Sequence, residues 1–201
     1  MKVLKEYKTI FLAGLAVVLF FGLAYFVMGN VESKQKFTYG EHLFQEGVVS
    51  EINIQIDEAN WKELLENPLT EEYYRADVTI NGELMGNTAI RTKGNTSLTS
   101  VANSDSDRYS FKLDFDYYDD NGNYYGLKKL CLNNNYADNS NMREYICYKI
   151  MEDMGLPVPQ CGYSHITVNG EEWGLYLAVE AVDEVFLQTN FADATGDLYK
   201  P

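Results

Sequence analysis

The chain has 201 residues and a formal net charge of −14, with 30 acidic against 16 basic side chains. Such a surface repels nucleic acid and anionic membrane, so an anionic ligand needs a local basic pocket. Three cysteines without a CxxC pair exclude a fully paired intrachain set, and two isolated histidines argue against a zinc cluster.

In chain order, Ile10 to Met28 is a run of 19 residues without a charge, preceded by Lys2, Lys5 and Lys8. At 1.5 Å per residue it is about 28 Å long, close to the hydrocarbon thickness of a bilayer. A cleaved signal peptide would be shorter and would end in a small-x-small site, which Gly29-Asn30-Val31-Glu32 does not supply. The expectation is a cytoplasmic tail over 1–9, a transmembrane signal anchor over 10–28 and an extracytoplasmic remainder. Residues 29–46 are polar and aperiodic and read as a linker.

Val48 to Ile56 alternates as a half-buried strand, and Asp57 is placed to N-cap a short helix with Trp61, Leu64 and Leu65 on one face. Tyr74 to Ile80, the Asn81-Gly82 turn and Leu84 to Thr92 form a hairpin. The return strand delivers Arg91-Thr92-Lys93-Gly94-Asn95-Thr96-Ser97. Arg91 and Lys93 alternate to one face, and Gly94 can take positive φ, so backbone N–H groups can converge on an anion. Taken by itself, so short a stretch reads first as a hairpin loop after a surface strand. Residues 98–107 read as a flexible polar segment.

Arg108 to Phe115 is a strand with Phe111, Leu113 and Phe115 toward a core and Ser110, Lys112 and Asp114 opposite. A solvated Asp/Asn/Gly turn and a return strand to Leu132 follow. Met142 to Met154 reads as a helix whose Met142, Ile146 and Ile150 should pack on the sheet, closed by Gly155. A third hairpin turns at Asn169-Gly170, and Asp183 is placed to cap a last helix. The turns at Asn81-Gly82 and Asn169-Gly170 sit in similar five-residue contexts, which shared hairpin chemistry explains.

Nine short segments occur in a particular order: Arg91-x-Lys93-Gly94-Asn95-x-Ser97, Ser110-Phe111-Lys112-Leu113-x-Phe115, Leu130-x-Leu132-Asn133-Asn134, Asp138-x-Ser140, Arg143-Glu144, Gly155-Leu156-Pro157, Val168-Asn169-Gly170, Gly174-Leu175-Tyr176 and Glu180. Together they resemble the CotH kinase family, named for a spore-coat protein, over about residues 48–200. The resemblance implies an α+β fold: a protein-kinase-like small lobe, with an antiparallel sheet of hairpins and a packed helix, over 47–201. It implies ATP and magnesium as cofactors and a serine-containing protein as substrate. It implies Lys112 as the phosphate lysine and Glu144 as its helix partner. Arg91, Lys93, Gly94, Asn95 and Ser97 would lie over the phosphates, and Glu180 near the adenine. The family's second lobe, with its catalytic aspartate and metal ligands, has no counterpart before Pro201, so the expectation is an inactive nucleotide-facing portion. Lys129 stays an alternative phosphate lysine, and Glu144, three residues after Asn141, an alternative capping-box glutamate. The competing reading of the chain is a noncatalytic extracytoplasmic surface or cell-wall interaction module, using its tyrosine-rich hairpin or acidic face. Nucleic acid is not an expected partner; oligomeric state and phosphoacceptor stay open.

Overall fold

The computed structural model describes residues 37–199, together with Val17, Phe21 and Gly22. The chain divides into two units, Met1–Gln35 and Lys36–Pro201. In the first, the three described residues are helical and exposed. No helix among the described residues is long and apolar enough to cross a membrane. The expected anchor over 10–28 otherwise lies outside the described residues.

The second unit is built on seven strands: β1 (Ser50–Ile56), β2 (Tyr74–Ile80), β3 (Glu83–Lys93), β4 (Ser110–Asp114), β5 (Lys129–Asn133), β6 (Cys161–Val168) and β7 (Glu171–Glu180). They close into a barrel in the order β1-β2-β3-β4-β5-β7-β6. Every neighbouring pair is antiparallel except β1 and β6, which run parallel and complete the ring. This corrects the expected kinase-like small lobe with its antiparallel sheet of hairpins. The physical reason is edge satisfaction. β1 and β6 each bury alternate residues, and each would otherwise present a row of unpaired backbone groups. Pairing them removes both edges at once.

The two Asn-Gly turns hold that closure. Asn81 N–H donates to Glu51 O (2.9 Å), and Asn81 Oδ1 accepts from Glu51 N–H (2.9 Å). Asn169 repeats the arrangement, donating to Ile54 O (2.8 Å) and accepting from Ile56 N–H at Oδ1 (2.9 Å). Both asparagines and their glycines have positive φ, as a tight two-residue hairpin requires. The likeness of the two turns therefore has a structural cause: each fastens its hairpin to β1.

Inside the barrel, Ile52, Ile54, Val78, Ile80, Ile90, Phe111, Leu113, Leu130, Leu132 and Ile166 are fully buried. The segment expected to be a linker contains α1 (Tyr39–Leu43), which buries Tyr39 and Leu43 against this core. Two bulky apolar residues four apart outweigh the polar composition around them. Helix α2 (Glu58–Glu66) follows its expected cap, with Asp57 Oδ1 accepting from Ala59 N–H and Asn60 N–H. The segment expected to be flexible opens with helix α3 (Thr96–Ala102), which buries Leu98 and Val101.

Helix α4 (Arg143–Asp153) departs from expectation in the face it turns inward. Met142, Ile146 and Ile150 are 49%, 41% and 54% exposed, so the apolar side does not pack on the sheet. Tyr145 packs on Tyr163 with the rings tilted by 35° (5.3 Å between centroids), and Tyr148 and Glu144 take the inner positions. Polar partners on β5 and β6 decide this orientation. Helix α5 (Glu184–Asn190) is capped by Asp183, as expected.

Candidate functional site

A cavity of about 550 Å³ opens where the ends of β3 and β5 and the start of β4 meet α4. Register places these ends together: Lys93 faces Ser110 across β3 and β4, and Asn133 is the last residue of β5. Lys93 Nζ donates to Asn133 Oδ1 (2.8 Å). Asn133 Nδ2 donates to Glu144 Oε1 (2.8 Å), and Tyr148 O–H donates to the same oxygen (3.2 Å). Burial, followed by the charge of Glu144, raises the Tyr148 pKa well above the ordinary phenol value, so Tyr148 stays a donor. The result is a chain of fixed polarity running from lysine through amide to carboxylate.

The cavity floor is built by Asn134, which is buried. Its Oδ1 accepts from Ser110 O–H (3.0 Å) and from Tyr136 N–H (3.1 Å), and its Nδ2 donates to Arg108 O (2.6 Å). Asn135 has positive φ, and its buried Nδ2 has no partner among the described residues. A buried amide donor without an acceptor is costly unless a ligand oxygen supplies one. Asp138 folds the loop into α4, accepting from Ser140 O–H (2.6 Å) and Arg143 N–H (2.8 Å). Those bonds hold its carboxyl below the usual range.

The expected site residues separate into three groups. Lys93, Ser97 and Glu144 line the cavity. Gly94 and Asn95 form the turn behind it. Gly94 has φ of 120°, and a Cβ there would lie 2.6 Å from Ser97 Oγ. Asn95 makes no side-chain cap bond.

Arg91 and Lys112 form the second group, facing each other on β3 and β4 away from the cavity lining. Arg91 is ion-paired with Glu71, and its guanidinium lies over Tyr73, 5.3 Å from the centroid. Burial, then the neighbouring Arg91 charge, lowers the Lys112 pKa. Lys112 makes no ion pair with Glu144; the lysine linked to Glu144 is Lys93, through Asn133. Lys129 is 3.7 Å from Asp116.

Glu180 stands alone in the third group. It accepts from Tyr39 O–H (2.5 Å) and Gln160 N–H (3.0 Å), tying α1 to the connection before β6. It is not part of the cavity wall. Glu144 does not act as a capping-box residue, since its carboxylate is engaged by Asn133 and Tyr148. Tyr148 was not singled out from the sequence, although its place four residues after Glu144 puts the two on one helix face.

Two cations, Lys93 and Arg143, two carboxylates, Asp138 and Glu144, one orphan amide and several hydroxyls line the space, and no group of three His, Cys, Asp or Glu side chains among the described residues could hold a metal.

Comparison with known proteins matches residues 90–201 to a family described as CotH kinase protein. The inner spore coat protein H of Bacillus subtilis (strain 168) is 32% identical over 62 residues, covering 31% of this chain and 17% of that protein. The inner spore coat protein H-like protein of the same organism is 36% identical over 55 residues, covering 27% of this chain and 18% of that protein. The chain thus matches less than a fifth of the length of either curated relative.

Proposed function

This chain belongs to the CotH kinase protein family, and from that premise we propose that the cavity beneath α4 holds the phosphates of a nucleoside triphosphate for transfer to protein serines. The observation that carries the reading is the Lys93–Asn133–Glu144 chain. On a surface of net charge −14, a lysine held at a cavity wall is the local cation that a polyanion requires. Asn133 orients the Lys93 ammonium, and Glu144 with Tyr148 orients Asn133. Asn135 Nδ2 offers a further donor to a phosphate oxygen. The bound nucleotide would supply the phosphoryl group; the chain's own residues bind it and neutralise its charge. Donors fixed in advance by such a network need little reorganisation on binding.

Titration with a fluorescent ATP analogue tests the assignment. Lys93→Met should raise Kd by about tenfold or more, which is about 1.4 kcal/mol, and Glu144→Gln should weaken binding by a smaller factor. Lys112→Met should leave Kd unchanged. Weakening by Lys112→Met with Lys93→Met silent would move the phosphate site to the outer face of β3 and β4.

A further inference from the structure

Helix α4 carries an apolar stripe that no described residue covers. Met142, Ile146, Ile150 and Met154 recur at four-residue intervals and are 49%, 41%, 54% and 71% exposed. Cys147 and Met151 are exposed beside them. Spacing by four keeps such residues near one face of a helix. The opposite side, with Glu144, Tyr145 and Tyr148, is engaged with the barrel.

The stripe has an internal symmetry about position 148. An antiparallel copy of the same helix sets Met142 against Met154 and Ile146 against Ile150. The same operation sets Arg143 against Asp153. Both of these side chains are exposed; Arg143 Nη2 donates to Ala137 O (3.2 Å) and its charge acts on Asp138, and neither residue makes an ion pair within 4.0 Å among the described residues. From this match of charge and apolar spacing we infer that α4 is a self-association face. Two copies of the chain pair through α4, antiparallel, about a two-fold axis beside residue 148.

A two-fold interface requires a surface complementary to itself, and this helix meets that condition in both apolar and charged positions. Thirteen residues from 142 to 154 span only about 20 Å, so the contact is smaller than the usual interface of about 800 Å² per partner. The pairing is accordingly reversible. The face shares Arg143 and Cys147 with the cavity lining.

Cys147 provides the probe, because it is exposed while Cys131 and Cys161 are half-buried. The purified 201-residue chain is treated with a short bismaleimide and read on a denaturing gel. The expected result is a dimer band that Cys147→Ser removes. Ile150→Glu should cut the yield about tenfold, equivalent to about 1.4 kcal/mol, with the thermal midpoint unchanged because Ile150 is exposed. Asp153→Arg should also cut it by setting like charges together, and adding Arg143→Asp to that variant should restore it. Three results overturn the inference: no dimer in the unmodified chain, a yield indifferent to Ile150→Glu, or no rescue by the charge exchange. Protection of Cys147 from a monofunctional maleimide in a chain that stays monomeric would mean that something else covers the stripe, and would overturn it too.

Discussion

Asp114 shows how far a single side chain can depart from its usual chemistry when the backbone fixes its place. It is 4% exposed, and its Oδ1 has no partner among the described residues. Burial, then the hydrogen bond with the Asp116 carboxyl, raises its pKa from 3.8 to about 6. Asp116 goes the other way: despite its own burial, bonds with Lys128 and Asp114 hold it low. A carboxyl raised in the folded state keeps its proton between about pH 4 and pH 6 while the unfolded chain has lost it. Stability therefore falls as pH rises through that window. Asp114→Asn should remove this dependence and stabilise the chain at pH 7 to 8 by about 1–2 kcal/mol, with no gain near pH 4. Urea unfolding at a series of pH values reads the difference. Equal stabilities of the two chains from pH 5 to pH 8 would show that the carboxylate is better solvated than its surroundings indicate.

Among the elements, the turn from β3 into α3 places the cavity wall. Gly94 adopts φ of 120°, and the space a Cβ would need is taken by Ser97 Oγ at 2.6 Å. Both facts disfavour a side chain there, and the second concerns a residue lining the cavity. Gly94→Ala should destabilise the chain by about 1–3 kcal/mol and should weaken nucleotide binding through displacement of Ser97. Thermal unfolding and the fluorescent-nucleotide titration separate the two effects. Unchanged stability would mean that the turn relaxes at no cost. Helix α4 illustrates the opposite balance. Its inner face is held by hydrogen bonds and one tyrosine pair rather than by apolar burial, and none of its residues is fully buried.

At the scale of the whole barrel, closure depends on the pairing of β1 with β6 and on the two asparagines that flank it. Asn169 Oδ1 satisfies Ile56 N–H, a group at the end of β1 that the sheet would otherwise leave unpaired. Asn169 also sits at φ of 51°, which asparagine tolerates better than most residues. Asn169→Ala should cost about 1–3 kcal/mol, combining a lost acceptor with backbone strain. Amide hydrogen exchange should accelerate in β1 and β6 more than in β4 and β5. Uniform acceleration would place the barrel's weakest opening elsewhere.

The strands, the Asn-Gly turns, the Asp57 and Asp183 caps and the position of α4 were legible in the sequence because each rests on local chemistry. Alternation marks a half-buried strand, a short carboxylate caps the first turn of a helix, and Asn-Gly accepts positive φ. The nine ordered segments were equally legible, and they identified the family that the comparison with known proteins also finds. What the sequence could not determine was the partner of each free edge. Alternation on β1 is the same whether the strand ends a sheet or closes a ring, and only the parallel pairing with β6 decides between them. The inward face of α4 was undetermined for a related reason. Its apolar spacing pointed Met142, Ile146 and Ile150 toward the sheet, yet Asn133 and Tyr163, remote in sequence, draw the polar side inward. The link from Lys93 to Glu144 has the same origin. Alternation put Arg91 and Lys93 on one face of their strand and Lys112 opposite the apolar face of the next, but which lysine meets the helix depends on where β3, β4 and β5 end relative to one another, and that is a property of register in the closed barrel.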